Sequence, residues 1–281
     1  MNTLEPAKLK EAAKLLPPSP QIFGKLSKLL KDTNTGLGDI TELVNTDSSL
    51  TTQVLRLSNS AFFNQGSSVD TLDEAINRIG FRELFKLVGM AAASQVFSQK
   101  NVTYDVDGTL LWENSLAVGL AMEILANATG TDEQEAYTLG LLRSMGKMVI
   151  DLCAKEEGTY PSYESNSLQP LIEWEENNFG ITNPIVSGFL LNSWNFPEET
   201  AKTIQFQYDP KAADHSSPNI RLLNISNGIA ERIDKALPGE SSYWDLSQGT
   251  LASFNLTQDK IDDTCERVKE GLEQVVTSVA A

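Results

Sequence analysis

The sequence predicts an all-α protein, a multi-helix bundle of two lobes, and three observations lead to this prediction. Apolar residues recur at the three- and four-residue spacing of a helix face through most of the 281 residues. Capping boxes, in which a hydroxyl residue is followed three positions later by Glu or Gln, begin at Thr71 and Thr131. Alternation of apolar and polar residues, which is typical of a half-buried strand, never lasts more than a few positions.

The first lobe is predicted to consist of short helices that end at proline, glycine or polar loops. A helical pattern over residues 4–15 ends at Pro17–Pro18, and Ser19 with Pro20 starts the next helix. Further helices are predicted over residues 39–44, from the N-cap residue Asp47, over residues 72–79 and from Leu84 to Val96. Gly80 is predicted to end the helix over residues 72–79.

The second lobe and the C-terminal part are also predicted to be helical. Helices are predicted over residues 112–126, 132–153, 168–179, 182–195, 198–207, 218–233 and 258–276. The stretch from Gly140 to Lys147 reads Gly-Leu-Leu-Arg-Ser-Met-Gly-Lys. It is predicted to lie in the middle of the helix over residues 132–153.

A polar loop over residues 99–108 marks the predicted boundary between the lobes. Residues 1–108 form the predicted N-terminal lobe and residues 109–236 the second lobe. Residues 237–281 are predicted to form a helical extension packed on the second lobe. A chain of 281 residues is long enough for one large domain or two ordinary ones.

Charge and composition exclude several classes of partner. The chain has 22 Lys and Arg against 38 Asp and Glu, a formal net charge of -16, so its surface repels phosphate backbones and anionic lipid. We therefore expect no nucleic-acid and no membrane partner. A helix pair between Asp39 and Asn59 has the spacing of a DNA-binding helix-turn-helix, but its sole basic residue is Arg56. The pair is better explained as ordinary helical packing.

Location and redox state follow from what the sequence lacks. The N-terminus has no basic region followed by an apolar run, and about 18 consecutive apolar residues occur nowhere, so we expect a cytoplasmic protein. The two cysteines, Cys153 and Cys265, lie far apart within helical patterns. This arrangement favours reduced thiols over a disulfide framework.

Four motifs occur in order along the chain: Leu16-Pro17-Pro18-Ser19-Pro20, the stretch Leu55-Arg56-Leu57-Ser58-Asn59-Ser60-Ala61-Phe62-Phe63, the stretch Ala75-Ile76-Asn77-Arg78-Ile79-Gly80, and Leu111-Trp112 through Gly140-Leu141-Leu142 with Gly146. In their order and spacing they resemble the HDOD domain over residues 16–233. This family is an all-α relative of the HD-superfamily metal-dependent phosphohydrolases and occurs in bacterial signalling proteins. The resemblance implies that the second lobe has an HD-like fold.

The resemblance also implies where metal ligands would lie in a catalytic relative, whose histidines and aspartates surround one or two metals. Arg143 and Ser144 occupy the positions of the His-Asp pair for which that superfamily is named. The full set of matching positions is Asn114, Arg143, Ser144, Asn183, Gln207, Tyr208 and Asn227. Because none of these is a His, Asp or Glu, we expect no metal cofactor and a degenerate active site. The single histidine, His215, cannot supply several imidazoles and is predicted to be an exposed loop residue.

Three hypotheses for function remain open. The leading hypothesis, which the resemblance suggests, is a non-catalytic signalling module that acts through protein partners or a small ligand. The second is a phosphohydrolase with a rebuilt centre, in which Glu173, Glu175, Glu176 or Asp151 holds magnesium. The simpler interpretation of those acids is a solvated helix face. The third is a helical scaffold that binds no ligand.

Two further expectations concern binding surfaces. Adjacent Phe62 and Phe63 lie in a predicted loop, so the stretch from Leu55 to Phe63 is a candidate surface for a signalling partner or for a homodimer. The alternative is that both rings pack between the lobes. The seven HD-equivalent positions are expected to survive as a polar pocket, in which the Arg143 guanidinium replaces the cation or holds a small anionic ligand. The alternative there is an Arg143 that points to the surface.

Overall fold

The structure, a computed structural model, describes residues 3–60, 63, 66, 68–158, 160–164, 167, 169–212 and 217–280. It confirms the predicted all-α class. Within those ranges no β-strand forms, and the nearest approach to one is a single antiparallel bridge between Asn101 and Val106. The chain divides into a smaller unit, residues 17–96 and 270–281, and a larger unit, residues 1–16 and 97–269.

The first five helices are close to those predicted. They are α1 (Pro6–Ala13), α2 (Ser19–Leu29), α3 (Leu37–Asn45), α4 (Ser48–Ser58) and α5 (Leu72–Val96). Asp47 caps α4 as expected, since its carboxylate accepts a hydrogen bond from the Leu50 amide at 3.0 Å. In the smaller unit α5 packs against α2, α3 and α4, with the Phe23 and Phe85 rings 4.7 Å apart.

Gly80 interrupts α5 where the sequence predicted one helix to end and another to follow. Its φ of 80° and ψ of 168° are not helical. Most side chains would be strained at that positive φ, whereas glycine adopts it readily. The two predicted helices are therefore present, separated by a kink at the predicted residue.

Asn59, within the second HDOD motif, closes the loop that follows α4. Its side-chain nitrogen donates to the Val69 carbonyl at 2.8 Å, and its side-chain oxygen accepts from the Val69 amide at 2.7 Å. One amide side chain thus pairs both backbone groups of Val69, as a neighbouring strand would. These two bonds hold the ends of the loop together ahead of α5.

The larger unit contains α1 and the helices that follow α5, although only the first part of the last helix belongs to it. These are α6 (Gly108–Thr129), α7 (Glu133–Leu142), α8 (Met145–Glu157), α9 (Leu171–Phe179), α10 (Asn183–Ser193), α11 (Glu198–Gln205), α12 (Pro218–Arg232), α13 (Gln248–Ala252) and α14 (Gln258–Ala280), with a 3-10 helix at Ser241–Tyr243. Neither the 3-10 helix nor α13 was predicted, because each is too short to show periodicity. The predicted helices end within a few residues of the observed ones.

Helix α6 lies at the centre of this unit. It packs against α7 and α12, and most of its residues are buried. By length and composition alone, α6 could also cross a membrane. However, 67% of its most apolar 18-residue stretch is buried inside the protein. Its hydrophobicity is therefore accounted for by its position in the core.

The predicted continuous helix over residues 132–153 is wrong, because α7 and α8 separate at Arg143 and Ser144. Ser144 has a φ of -98° and a ψ of 9°, outside the helical range. Helix α10 supports the break, since the Ser187 hydroxyl accepts from the Gly146 amide at 2.8 Å and donates to the Arg143 carbonyl at 3.2 Å. These bonds compensate two of the backbone groups that a continuous helix would have paired.

The observed division differs from the predicted segments 1–108, 109–236 and 237–281. Residues 1–16 and 97–108 belong to the larger unit. For residues 1–16 the reason is that α1 packs on α8. Helix α14 divides between the units, with residues 258–269 in the larger and 270–280 in the smaller. The predicted boundary was placed at a polar loop of the sequence, whereas the observed units are groups of residues that contact one another in space. Whether the three predicted segments act as domains stays a prediction.

The crossing of α6 and α7 gives a test of the fold. A methyl group at Gly140 would lie 2.5 Å from the Gly119 backbone, a distance that real Cβ contacts do not show. We expect Gly140→Ala to lower the free energy of unfolding by at least about 1–3 kcal/mol, because neither helix backbone can yield easily. Urea unfolding followed by circular dichroism measures the change.

Gly249→Ala is the matched control, since Gly249 is also helical, lies in the same unit and has nothing within 4 Å of its added methyl. We expect that variant to be as stable as the unmodified protein or slightly more stable. Equal stability of the two variants would contradict the close helix crossing.

Candidate functional site

Arg143 lies at the junction of α7 and α8 and is 1% exposed. Its Nη2 atom donates to Asn114 Oδ1 at 2.6 Å and to Glu240 Oε2 at 2.9 Å. Its Nη1 atom donates to Gln207 Oε1 at 3.3 Å. The guanidinium also lies 5.7 Å from the centre of the Trp244 ring. Side chains from α6, from the turn after α11 and from the segment after α12 therefore converge on one buried cation.

Lys147 brings a second cation into the same site, one helical turn after Arg143. It is 1% exposed, and its Nζ atom lies 2.9 Å from Glu240 Oε1. The ammonium also lies 4.7 Å from the centre of the Tyr104 ring. The Tyr208 hydroxyl donates to the same Glu240 oxygen at 2.6 Å. One carboxylate thus binds both cations and a phenol.

The pKa of Glu240 reflects these opposing contacts. Burial raises its pKa, but the nearby positive charges of Arg143 and Lys147 lower it more, to about 2. Glu240 is therefore ionised at neutral pH although its side chain is 1% exposed. The neighbouring phenol stays protonated, since burial and the Glu240 charge raise the pKa of Tyr208 well above its ordinary value.

Glu175 on α9 adds a second buried carboxylate. It accepts from the Tyr104 hydroxyl at 2.6 Å, from the Asn183 backbone amide at 2.8 Å and from the Asn183 side chain at 2.9 Å. Burial raises its pKa, and the charge of Lys147 together with these hydrogen bonds opposes that rise. We call Arg143, Lys147, Glu175 and Glu240 the ionic cluster.

The structure brings together some of the seven predicted positions. Asn114 and Gln207 contact Arg143, and Tyr208 joins them through Glu240. Asn183 instead binds Glu175. Ser144 is buried without a hydrogen-bond partner for its hydroxyl, and the Asn227 side chain bonds back to the carbonyl of Leu223 on its own helix. His215 lies outside the described residues.

Two of the four acids predicted to form a solvated helix face are buried. Glu175 is 0% and Asp151 is 1% exposed, whereas Glu173 and Glu176 are exposed as predicted. Asp151 accepts from the Thr103 amide at 2.8 Å and pairs with Lys155 at 2.7 Å. The prediction failed for these two because tertiary contacts supply partners that helical periodicity does not reveal. The four acids do not assemble into one site.

Sequence reasoning missed Lys147 and Glu240 altogether. Lys147 had a usable signal, since it lies four residues after Arg143 and so shares its helix face. Glu240 had none, because it follows Gly239 in an irregular segment without periodicity. Only the folded chain shows that this glutamate binds both cations.

The residues present do not fit an HD metal centre. Such a centre uses neutral imidazoles and carboxylates to hold divalent cations. Here the equivalent positions include a guanidinium, and an ammonium lies beside it. Among the described residues, no three His, Cys, Asp or Glu side chains are arranged to hold a metal. The site is built to neutralise charges within the protein.

Comparison with known proteins gives matches over nearly the whole chain. The sequence model of the HDOD domain matches residues 16–210. A "Putative phosphohydrolase" from Shewanella amazonensis SB2B has a similar crystal structure, with 26% identity, a TM-score of 0.67, and 96% of this chain and 97% of that chain covered. A "Putative signal transduction protein" from Marinobacter aquaeolei VT8 has 20% identity and a TM-score of 0.73, over 96% of this chain and 64% of that chain. The latter similarity shows the shared fold.

A sequence relative is longer than this chain. An "Uncharacterized protein" from Treponema pallidum (strain Nichols) is 24% identical over 270 residues, which cover 94% of this chain and 51% of that protein. The chain thus spans about half the length of that relative.

Replacing Glu240 tests the ionic cluster. We expect Glu240→Gln to lower the free energy of unfolding at pH 7 by about 3–5 kcal/mol, because two buried cations would lose their counter-ion. Urea unfolding measures the change. Glu198→Gln is the matched control: it removes one partner of the Lys202–Glu198 ion pair in the same unit, where Glu198 is 76% exposed. We expect that control to leave stability nearly unchanged.

The same comparison has a pH dependence with a defined sign. The folded pKa of Glu240, about 2, lies below its ordinary value of 4.5. The stabilisation by its ionised form is therefore complete above about pH 4.5 and is lost as the pH falls towards 2. The stability difference between the unmodified protein and Glu240→Gln should shrink over that interval. A difference that stays constant from pH 7 to pH 3 would show that Glu240 does not carry the charge assigned to it.

Proposed function

Because the chain belongs to the HDOD domain family, we propose that it is a non-catalytic regulatory module of the bacterial cytoplasm that acts through protein partners or a small ligand. One observation carries this proposal. The place that corresponds to an HD metal centre is filled by an Arg143–Glu240–Lys147 ion pair network whose members are 1% exposed. A pair of fixed cations there opposes the entry of a divalent metal.

The chemistry of the side chains supports the same proposal. Metal-assisted hydrolysis needs an activated water on a cation with an open coordination position. In this chain both Nη atoms of the Arg143 guanidinium donate to protein groups, namely Asn114, Gln207 and Glu240. Arginine keeps its proton in proteins and cannot act as a general base at neutral pH. We therefore assign the site a structural and signalling role.

The ionic cluster is suited to transmit a conformational state. It connects the α7–α8 junction with α6 through Asn114 and with the segment after α12 through Glu240. It reaches α9 and α10 through Tyr104, whose ring lies under the Lys147 ammonium and whose hydroxyl donates to Glu175. Removing one member of a buried ion pair costs several kcal/mol, so small movements at these elements are strongly coupled. A partner that shifts Glu240 would thus also shift the α7–α8 junction.

A metal-dependent phosphohydrolase is the second candidate, and the name of the Shewanella amazonensis relative is the reason to test it. Two buried carboxylates of this chain could serve as magnesium ligands, but both already have partners. Glu175 binds Tyr104 and Asn183, and Asp151 binds Thr103 and Lys155. A magnesium ion would have to displace these bonds. The regulatory proposal is therefore the one that the geometry favours.

Assays with added metal distinguish these two functions. We expect purified protein to show no cleavage of bis(p-nitrophenyl) phosphate and no rise in melting temperature with Mg²⁺, Mn²⁺ or Zn²⁺, because the cluster supplies its own cations. Metal-dependent cleavage that disappears in Asp151→Asn or Glu175→Gln would overturn the proposal. Glu173→Gln, which alters an exposed acid on the same helix as Glu175, controls for loosely bound metal.

The proposed partner or self-association surface is the stretch from Leu55 to Phe63. Phe63 is half-buried in the turn after α4, and Phe62 lies outside the described residues. We expect Phe63→Ser to leave the helical content unchanged and to weaken one of two interactions. These are self-association of the protein and the capture of a partner when the purified protein is used as bait in an extract of its native cell. Sedimentation and affinity capture measure the two effects.

Val102→Ser serves as the control for that experiment, since Val102 is 53% exposed and lies in the larger unit. Equal oligomeric state and equal capture for the unmodified protein and Phe63→Ser would exclude this surface as the docking site. The proposal of a regulatory module would then need another surface.

A further inference from the structure

A cleft of about 280 Å³ lies beside the ionic cluster. Its walls come from the turn after α11, the start of α12, the segment after the 3-10 helix, and α13. Its polar and aromatic lining includes Tyr208, Lys211, Arg221, Tyr243, Asp245 and Thr250. The volume is close to the lower limit for pockets that bind small molecules.

Two cations of the cleft have no ion-pair partner. Lys211 and Arg221 are both exposed, and neither lies within 4.0 Å of a carboxylate in the described part of the chain. Both line the same cleft, so together they offer positive charge to an anion in a protein whose acids outnumber its bases 38 to 22.

The two carboxylates of the cleft are engaged in local hydrogen bonds. Asp245 accepts from the Thr250 hydroxyl at 2.6 Å and from the Ser247 amide at 3.0 Å. Asp209 accepts from the Lys211 amide at 3.2 Å and from the Ala212 amide at 3.3 Å. These bonds order the cleft walls and, with a smaller contribution from the charge of Lys211, lower the pKa of Asp245. Neither Lys211 nor Arg221 forms an ion pair with the two acids at 4.0 Å or less in the described residues, so both cations can contact a ligand.

Asn224 fixes the inner wall of the cleft. Its Nδ2 atom donates to the Gln207 carbonyl at 2.9 Å and to the Tyr243 carbonyl at 2.8 Å, and its Oδ1 atom accepts from the Asp245 amide at 2.9 Å. One buried side chain thus ties α12 to both neighbouring segments. A wall held in this way loses little conformational entropy when a ligand binds.

Aromatic rings line the same wall. The Tyr208 and Tyr243 rings lie 4.8 Å apart, and the Tyr208 ring stacks on Trp244 at 5.2 Å. Tyr243 is half-buried, so part of its ring contributes apolar surface to the cleft. A planar body can pack against such a surface while an attached anionic group reaches the cations.

We propose that this cleft binds a small planar molecule that carries a phosphate or carboxylate group, with Lys211 and Arg221 holding the anion and Tyr208 and Tyr243 contacting the planar part. The inference rests on the proposed function in one respect, since it names the class of ligand that the module would sense. Binding itself does not require the module to be non-catalytic.

Tyr208 connects the cleft to the ionic cluster. Its ring lines the cleft, and its hydroxyl donates to Glu240, which binds Arg143 and Lys147. A ligand that moves the Tyr208 ring would therefore change the hydrogen bonding of Glu240. Trp244 lies against both the Tyr208 ring and the Arg143 guanidinium, so its fluorescence reports such a change.

Calorimetry with phenyl phosphate tests the proposal. We expect saturable one-to-one binding, weaker binding of inorganic phosphate and no binding of neutral phenol. The double variant Lys211→Gln/Arg221→Gln should bind phenyl phosphate at least about tenfold more weakly, since it loses two charge-assisted contacts. The matched control, Lys202→Gln/Arg232→Gln, changes the net charge equally on the same unit and should bind normally. A fluorescence change on binding should be absent in Trp244→Phe.

Each contrary outcome has a defined meaning. Failure of phenyl phosphate to bind would overturn the cleft proposal, whereas the test of metal-dependent hydrolysis is separate and would be unaffected. Equal weakening in the two double variants would assign binding to general electrostatics and overturn the role of Lys211 and Arg221. Equal affinity for inorganic phosphate and phenyl phosphate would overturn the role of the planar part. Binding without a Trp244-dependent signal would overturn the connection through Tyr208.

Discussion

Glu240 is held between Arg143 and Lys147, and the organisation of the larger unit depends on that contact. Removing charges from water costs several kcal/mol per ion, and the cost is recovered only where each charge has close partners. Here one carboxylate oxygen accepts from the guanidinium, and the other contacts the ammonium and accepts from the Tyr208 hydroxyl. The elements that carry these side chains must therefore meet in one arrangement, since any displacement leaves a charge buried without its partner.

The break between α7 and α8 positions Arg143 and Lys147 for their contacts with Glu240. Ser187 bonds to backbone groups on both sides of the break, and Gly146 lets α10 approach so closely that a Cβ there would lie 2.0 Å from the Asn183 carbonyl oxygen. Arg143 then sits at the junction and Lys147 one turn beyond it. A local departure from helical geometry thus supports the placement of two buried cations.

Charged side chains converge around Arg143, a position that the resemblance to HD proteins predicts to hold a metal ligand in a catalytic relative. Positive charge is supplied by Arg143 and Lys147, and the ionised Glu240 carboxylate contacts both. An ion pair network of this kind is directional, because each hydrogen bond has a preferred geometry. It can therefore respond to a displaced neighbour, which suits the proposed regulatory role better than hydrolysis.

The sequence by itself determined the all-α class, most helix positions, the kink at Gly80 and the family. These features depend on local patterns, namely helical periodicity, capping residues and motif spacing, which short stretches of chain carry without reference to distant residues. That Arg143 and Ser144 stand where a His-Asp pair would lie in a catalytic relative is implied by the resemblance and stays a prediction. Only the tertiary structure decided that Arg143 is buried, that α7 and α8 separate, and that Glu175 is not a solvated acid. It alone brought Glu240 to Arg143 across 97 residues, because a contact between an irregular segment and a helix junction leaves no periodic trace in the sequence.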